Sequence, residues 1–302
     1  TQRGYLRFFG LAGFACFLFF RANYKNPCSQ IYSMDLLSIV LLGLVQGVTE
    51  WIPISSKTQD TLVYLSFLHG GPSFVVPILL YLHIGTVLAA IIYFRKEIYE
   101  IAAGLAKKPL DVQGHSKGKL GFLFTSLLFT GIIGVPLLLL EKTFFPSFDT
   151  RLLFVVMGFG LMLTGTLLLL QKRDGTRKTE NAGWKDGVLT GILQGFSVLP
   201  GISRSGTSTT GLIWRGFDSE SSFHLSFLLS IPTVIVAELV LYIGGGLTSF
   251  PISDGILLAL SSFVFGYLTL DVLLKIVRRI NLAYFALALG LLIIIAGLIG
   301  AS

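Results

Sequence analysis

The chain has 302 residues, 53% of them hydrophobic and 13% charged, with a mean hydropathy of +0.78. Soluble domains carry about 25% charged residues, so the composition excludes a soluble globular protein and points to a multi-pass membrane protein. The net charge of +7 reads as Lys and Arg in cytoplasmic loops, with no nucleic-acid surface implied. Cys16 and Cys28 have neither a disulfide framework nor metal-ligand spacing.

Residues 1–33 stand apart. The apolar run Phe8–Phe20 is flanked by Arg3, Arg7, Arg21 and Lys25. It is short for a span and reads as a signal-like segment or an anchor. Met34 opens a clean apolar helix, so 1–33 is expected to be an N-terminal extension to a single membrane domain over 34–302.

From Met34 the apolar segments are 36–52, 60–69, 74–94, 119–140, 151–170, 186–199, 206–214, 223–247, 256–274 and 281–300. Six can cross a bilayer: 74–94, 119–140, 151–170, 223–247, 256–274 and 281–300. The other four form two interrupted pairs, 36–69 and 186–214. Short, Pro-broken segments at corresponding places in two halves point to a binding site built on broken helices.

Basic residues set the topology. Arg95, Lys96, Lys107, Lys108, Lys117 and Lys119 share one loop; Lys172, Arg173, Arg177, Lys178 and Lys185 share another; Arg278 and Arg279 lie in a third. With these loops in the cytoplasm, the pair 36–69 begins and ends outside and the pair 186–214 begins and ends inside. Both are then re-entrant hairpins, entering from opposite faces.

Gly43-Leu-Val-Gln46-Gly47-Val-Thr49 matches Gly191-Ile-Leu-Gln194-Gly195-Phe-Ser197, and Ile54-Ser55 matches Ile202-Ser203 at the same offset. Each motif precedes three spans, an odd number, which inverts the second half. The predicted fold is therefore all-α, an inverted-topology repeat in which each half is a re-entrant helical hairpin plus three transmembrane helices (about 34–170 and 184–300).

Such a repeat brings the two hairpin tips together near the midplane. The first carries Glu50, Pro53, Ser55, Ser56, Lys57, Gln59 and Asp60; the second carries Pro200, Gly201, Ser203, Arg204, Ser205 and Ser208. An arginine at membrane depth costs about 2.5–3.5 kcal/mol and marks a functional site by default. Its fork of donors suits a phosphate, as do backbone N–H groups at Gly201 and the helix start. Glu50 and Asp60 can hold a divalent ion or act as a base. Ser55, Ser203, Ser205 and Ser208 are candidate phosphate ligands, and Ser56, Ser203 or Ser205 is a candidate nucleophile in competition with activated water. Lys57 either pairs with phosphate or snorkels outward. Gln46, Gln59 and Gln194 are expected to support the tips. His83, within span 74–94, either bonds between helices or supplies a catalytic base. Glu238 and Asp271 are intramembrane acids with no role assigned.

GLVQGVTEWIPISS at 43–56, LPGISRSGTST at 199–209 and FHLSFLLSIP at 223–232 resemble the undecaprenyl pyrophosphate phosphatases of the bacitracin-resistance type. The resemblance covers about 34–300. It implies a multi-pass plasma-membrane enzyme that removes the terminal phosphate from a polyprenyl pyrophosphate, with Mg2+ or Ca2+ as cofactor and a homodimer left open. Glu50, Ser55, Ser56, Ser203, Arg204 and Ser205 match the motifs. Gln46 stands where a first glutamate is usual, and Gln59 where bacterial members have histidine. The Ser-Ser-Lys-Thr-Gln form is similar to archaeal members and suggests a dolichyl-type substrate. A transporter or flippase of an anionic polyprenyl lipid is the alternative, since inverted repeats with broken helices also build transporters.

Overall fold

The computed structural model describes residues 34–107, 118–144, 148–171, 175–243, 250–277 and 280–299. The extension 1–33 lies outside the described residues, as do Lys108, Lys117, Lys172, Arg173, Arg278 and Arg279 of the loops. The described chain is helical. Its one isolated bridge among the described residues joins Arg177 to Phe217.

Helix α1 (Leu36–Thr49) starts where the Asp35 carboxylate accepts the Ser38 N–H, and the Met34 N–H donates to Asp254, 2.7 Å away. A turn leads to the short α2 (Ser56–Leu62), which continues as a π-turn over Val63–Phe67. Then come α3 (Val75–Tyr93), the amphipathic α4 (Arg95–Lys107), α5 (Lys119–Phe144) and α6 (Thr150–Leu169). The second half runs α7 (Trp184–Gly195), a 3-10 turn at Phe196–Val198, α8 (Arg204–Trp214), α9 (Ser219–Ile243), α10 (Ile252–Val277) and α11 (Ala283–Ile299).

Five described helices are long and apolar enough to cross a membrane: Pro72–Tyr93, Lys119–Leu140, Thr150–Leu169, Ser219–Ile243 and Ile252–Ile276. Six were expected. The sixth, α11, is apolar but described over 17 residues, or roughly 25 Å at 1.5 Å per residue, a little under the hydrocarbon thickness. Outward-facing residues such as Phe124, Ile132 and Leu268 remain well exposed, as side chains facing lipid should.

Packing crosses between the halves. Helices α1 and α3 both lie on α10, α7 lies on α5, and α6 pairs with α11. Small residues permit the close approach. A Cβ at Gly47 would meet the Gly266 N at 2.6 Å and the Phe265 Cβ at 2.7 Å on α10. Its repeat equivalent Gly195 would meet the Ile133 Cβ at 2.5 Å on α5. The buried Trp51 anchors the first turn by donating to the Gly266 carbonyl at 3.1 Å and packing against Phe227.

At the open end of the second hairpin, Arg177 forks onto both oxygens of Asp186 at 2.8 Å, and Arg215 donates to one of them at 2.8 Å. The Arg177 guanidinium also lies over the Phe217 ring at 4.2 Å. The clasp joins the ends of α7 and α8, so that their other ends, the tips, are held in place.

Candidate active site

Glu50 ends α1 and is buried. Each of its carboxylate oxygens has donors. Oε1 accepts from Arg204 Nη2 at 2.6 Å. Oε2 accepts from Ser56 Oγ at 2.6 Å and from Gln46 Nε2 at 3.2 Å. The Arg204 bond spans 154 residues, so the two tips do meet. Both side chains are largely withdrawn from solvent, at 13% and 7% exposure. Breaking such a pair by removing one partner costs about 3–5 kcal/mol.

The backbone around Ser56 explains its placement. Ser55 takes φ 61°, ψ 88°, a left-handed conformation that a residue with a Cβ adopts at a cost of about 1–3 kcal/mol. It turns the chain sharply so that α2 starts at Ser56. Two side chains hold the turn: Ser55 Oγ pairs with Thr58 Oγ1 at 3.0 Å, and Gln59 Nε2 donates back to the Ile54 carbonyl at 3.1 Å. Gln59 is thus a brace for the turn and leaves the Glu50 carboxylate to other donors.

In the second tip, Gly201 has φ +86°, where an L side chain would be strained and would run into the α6 backbone at Met157 and Leu161. Ser203 caps α8, accepting the Gly206 N–H at 3.3 Å, and its own N–H donates to Thr164 Oγ1 at 2.9 Å. Ser203 and Ser205 hydroxyls lie 3.2 Å apart, and Ser205 donates to the Ile52 carbonyl of the first tip at 3.3 Å. Arg204, the first residue of α8, is placed where the positive end of the helix dipole adds to its own charge. Lys57 reaches across to the Val198 carbonyl at 3.3 Å. It joins the tips, where the sequence suggested either phosphate or the outer surface.

His83 joins the cluster from α3. Its Nδ1 lies 2.7 Å from the Leu79 carbonyl. A carbonyl can only accept, so Nδ1 carries the proton and the neutral ring presents Nε2 as an acceptor. Nε2 lies 3.7 Å from Glu50 Oε2. Glu238, on α9, approaches the other nitrogen, with Oε1 3.3 Å from Nδ1. Sequence patterning marked Glu238 as an acid in a span but could not name its partner.

Other expected residues are placed differently. Ser208 is fully buried, bonded to Ser226 Oγ at 2.6 Å and to the Arg204 carbonyl at 2.8 Å. It supports α8 against α9, and its hydrogen bonds do not reach the Glu50 cluster. Gln46 and Gln194 play matching parts: Gln46 donates to Thr86 on α3 at 3.3 Å, and Gln194 to Thr233 on α9 at 3.0 Å. Thr86, one turn after His83, went unmarked in the sequence because a threonine in a span is ordinary helix glue.

Asp60 is 1% exposed, and neither carboxylate oxygen has a hydrogen-bond partner. A buried carboxylate with both oxygens orphaned suits a cation. Among the described residues no group of three His, Cys, Asp or Glu is arranged to hold a metal by protein ligands alone. Mg2+ is commonly bound through one or two carboxylates with substrate phosphates completing the shell, and the pair Glu50 and Asp60 fits that mode.

The cluster therefore combines a guanidinium, a helix N-terminus and several hydroxyls on one side with two carboxylates and an imidazole acceptor on the other. It can bind a phosphate, take a proton from an attacking hydroxyl, and do both out of bulk water.

A family model described as bacitracin resistance protein BacA matches residues 39–297. A curated protein of Methanococcoides burtonii, named undecaprenyl-diphosphatase, is 37% identical over 266 residues, covering 86% of this chain and 97% of its own. Proteins of the same name from Methanothrix thermoacetophila and Haloarcula marismortui are 34% and 32% identical, covering 86% and 87% of this chain and 96% and 98% of theirs.

Proposed function

The chain belongs to the bacitracin resistance protein BacA family, and from that premise we propose that it is a membrane phosphatase that hydrolyses a polyprenyl pyrophosphate to the monophosphate and inorganic phosphate. The observation that carries the chemistry is the chain of short hydrogen bonds from Arg204 through Glu50 to Ser56. Of the candidate serines, Ser203 caps a helix and Ser205 donates to a backbone carbonyl. Ser56 alone among these three directs its proton at a carboxylate.

In this reading the terminal phosphate enters between the tips. Arg204 leaves Glu50 in part to fork onto the phosphate oxygens, aided by the α8 N-terminus. Ser56 Oγ attacks the terminal phosphorus as Glu50 Oε2 takes its proton. The bond to the bridging oxygen breaks and its electron pair departs with the polyprenyl monophosphate. Water then attacks the phosphoserine, His83 Nε2 accepts its proton, and Ser56 Oγ leaves with the proton held by Glu50. Glu50 and Asp60 would hold the divalent cation, Mg2+ or Ca2+, with the pyrophosphate oxygens. Such an ion, when bound, neutralises charge building on the bridging and terminal oxygens.

We also infer the inverted repeat. Its support is the reciprocal packing: Gly47 presses on α10 and the matching Gly195 on α5, which occupy the same place in their halves. The matched glutamines donate to threonines on α3 and α9, likewise equivalent. The plasma membrane is the proposed location and a homodimer the proposed assembly.

The test is phosphate release from a polyprenyl pyrophosphate by the purified chain in detergent, with Mg2+, with Ca2+ and with chelator. Release dependent on a divalent ion is expected; lipid translocation in liposomes without release would overturn the reading in favour of a flippase. A burst of monophosphate lost in Ser56→Ala is expected, whereas near-normal turnover by Ser56→Ala would assign the attack to water.

A further inference from the structure

Glu238 lies within the apolar part of the α9 span, and the mechanism does not use it. An acid inside a span is costly to insert, and the surroundings of Glu238 recover little of that cost. Oε2 is buried without a hydrogen-bond partner. Oε1 makes its contact with His83 Nδ1, at 3.3 Å. Native structures satisfy nearly all buried polar atoms, and a half-satisfied one needs a reason. An apolar side chain there would suit a span better. Stability is therefore a poor account of this residue.

Its geometry supplies a better one. The His83 ring lies between two carboxylates from different halves, Glu50 at the first tip and Glu238 on α9. The charged groups acting on the ring also include Arg204 and Lys57. The Leu79 carbonyl holds Nδ1 from within α3, but a single hydrogen bond to its own helix leaves the ring free to swing about it. Glu238 meets the same nitrogen from a second helix. The single proton on Nδ1 points to the Leu79 carbonyl and lies within reach of Glu238 Oε1 as well, so a carboxylate from a second helix limits how the ring can turn and Nε2 on the far edge stays toward Glu50.

Resting on the phosphatase reading, we propose that Glu238 is a positioning residue that holds the His83 ring in its working orientation. It acts through His83 and touches neither the phosphate nor the attacking oxygen. Because α9 also carries Ser226, whose carbonyl accepts from Arg204 at 3.4 Å, one helix of the second half then orients both the phosphate-binding cation and the base.

The test compares Glu238→Gln, Glu238→Asp, His83→Ala and the double variant His83→Ala/Glu238→Gln for phosphate release. Glu238→Gln should lower kcat by about tenfold, a fraction of what a general base contributes, with KM within about twofold of wild type. Glu238→Asp should recover part of the loss, and the double variant should be no slower than His83→Ala alone, because partners acting through one group are non-additive. A wild-type kcat in Glu238→Gln, or a further tenfold loss in the double variant, would overturn the proposal. Nitrogen-15 NMR of histidine-labelled protein reads the ring without turnover. Glu238→Gln should shift the His83 Nδ1 resonance, and an unmoved resonance would also overturn the proposal. Absence of phosphate release by the wild-type chain would instead sink the phosphatase reading.

Discussion

Replacing Arg204 by lysine separates charge from shape. The arginine directs Nη2 to Glu50 at 2.6 Å and Nη1 to the Ser226 carbonyl at 3.4 Å. Lysine keeps the positive charge, so Glu50 stays paired and the buried carboxylate is not abandoned. It offers a compact ammonium in place of the planar fork, and it cannot hold two phosphate oxygens in the same plane. Removing one well-placed transition-state donor costs about 2.7–4 kcal/mol, which corresponds to roughly 100- to 1,000-fold in rate. The expected outcome for Arg204→Lys is a fall of that size in kcat/KM, read by phosphate release in detergent. Stability to thermal unfolding of the same preparation should fall by less than the about 3–5 kcal/mol that breaking this buried pair would cost, because the charge is retained. A kcat/KM within fivefold of wild type, a bound of about 1 kcal/mol on transition-state loss, would refute the bidentate role and with it the placement of the phosphate between the tips.

Glu50→Gln should be both inactive and unstable: it leaves the Arg204 guanidinium buried without its counter-charge, costing about 3–5 kcal/mol, visible as a lowered unfolding temperature alongside lost phosphate release. Gly47→Leu should push α1 off α10, since the obstructing atoms include backbone, and overpacking of this kind costs at least about 1–3 kcal/mol; Gly131→Ala, which meets nothing within 4 Å, should unfold at the wild-type temperature. Outside the membrane, Glu97 links three helices, accepting from His224 at 2.8 Å and from Lys119. Burial pushes its carboxyl up, but those hydrogen bonds and charges outweigh it and hold the pKa at about 2. A depressed carboxylate pKa stabilises the fold above its unfolded value, so the link should hold through neutral and mildly acidic pH. It should be lost as pH falls from about 4.5 toward 2; hydrogen exchange along α4 measured across that window checks it, and loosening already at pH 6 would contradict it.

Much of the organisation was legible from residues alone. Spans can be read because a bilayer demands a fixed length of apolar helix, and the charge bias of loops is local in sequence. The breaks at Pro53 and at Pro200-Gly201 were visible because proline removes a backbone donor and glycine favours non-helical backbone, although Pro136 and Pro232 are carried within α5 and α9. Arg204, Glu50 and the serines stood out because polar groups in an apolar chain are expensive. What could not be read was direction. Gln59 and Asp60 are neighbours in sequence, yet one braces a turn and the other is buried with no partner. Ser205 and Ser208 are one turn apart, yet one meets the opposite tip and the other α9.

Composition, hydropathy and the repeated Gly-x-x-Gln-Gly motif thus determined by themselves that this is a membrane protein with two broken helices, and which residues those breaks carry. Only the tertiary structure decided that Glu50 takes Arg204 and Ser56 together, that Lys57 spans to Val198, and that His83 lies between Glu50 and Glu238. The reason is that a side chain's partner depends on how its helix is rotated against its neighbours. That rotation is set by packing, here by glycines pressed onto helices of the opposite half, between residues far apart in the chain.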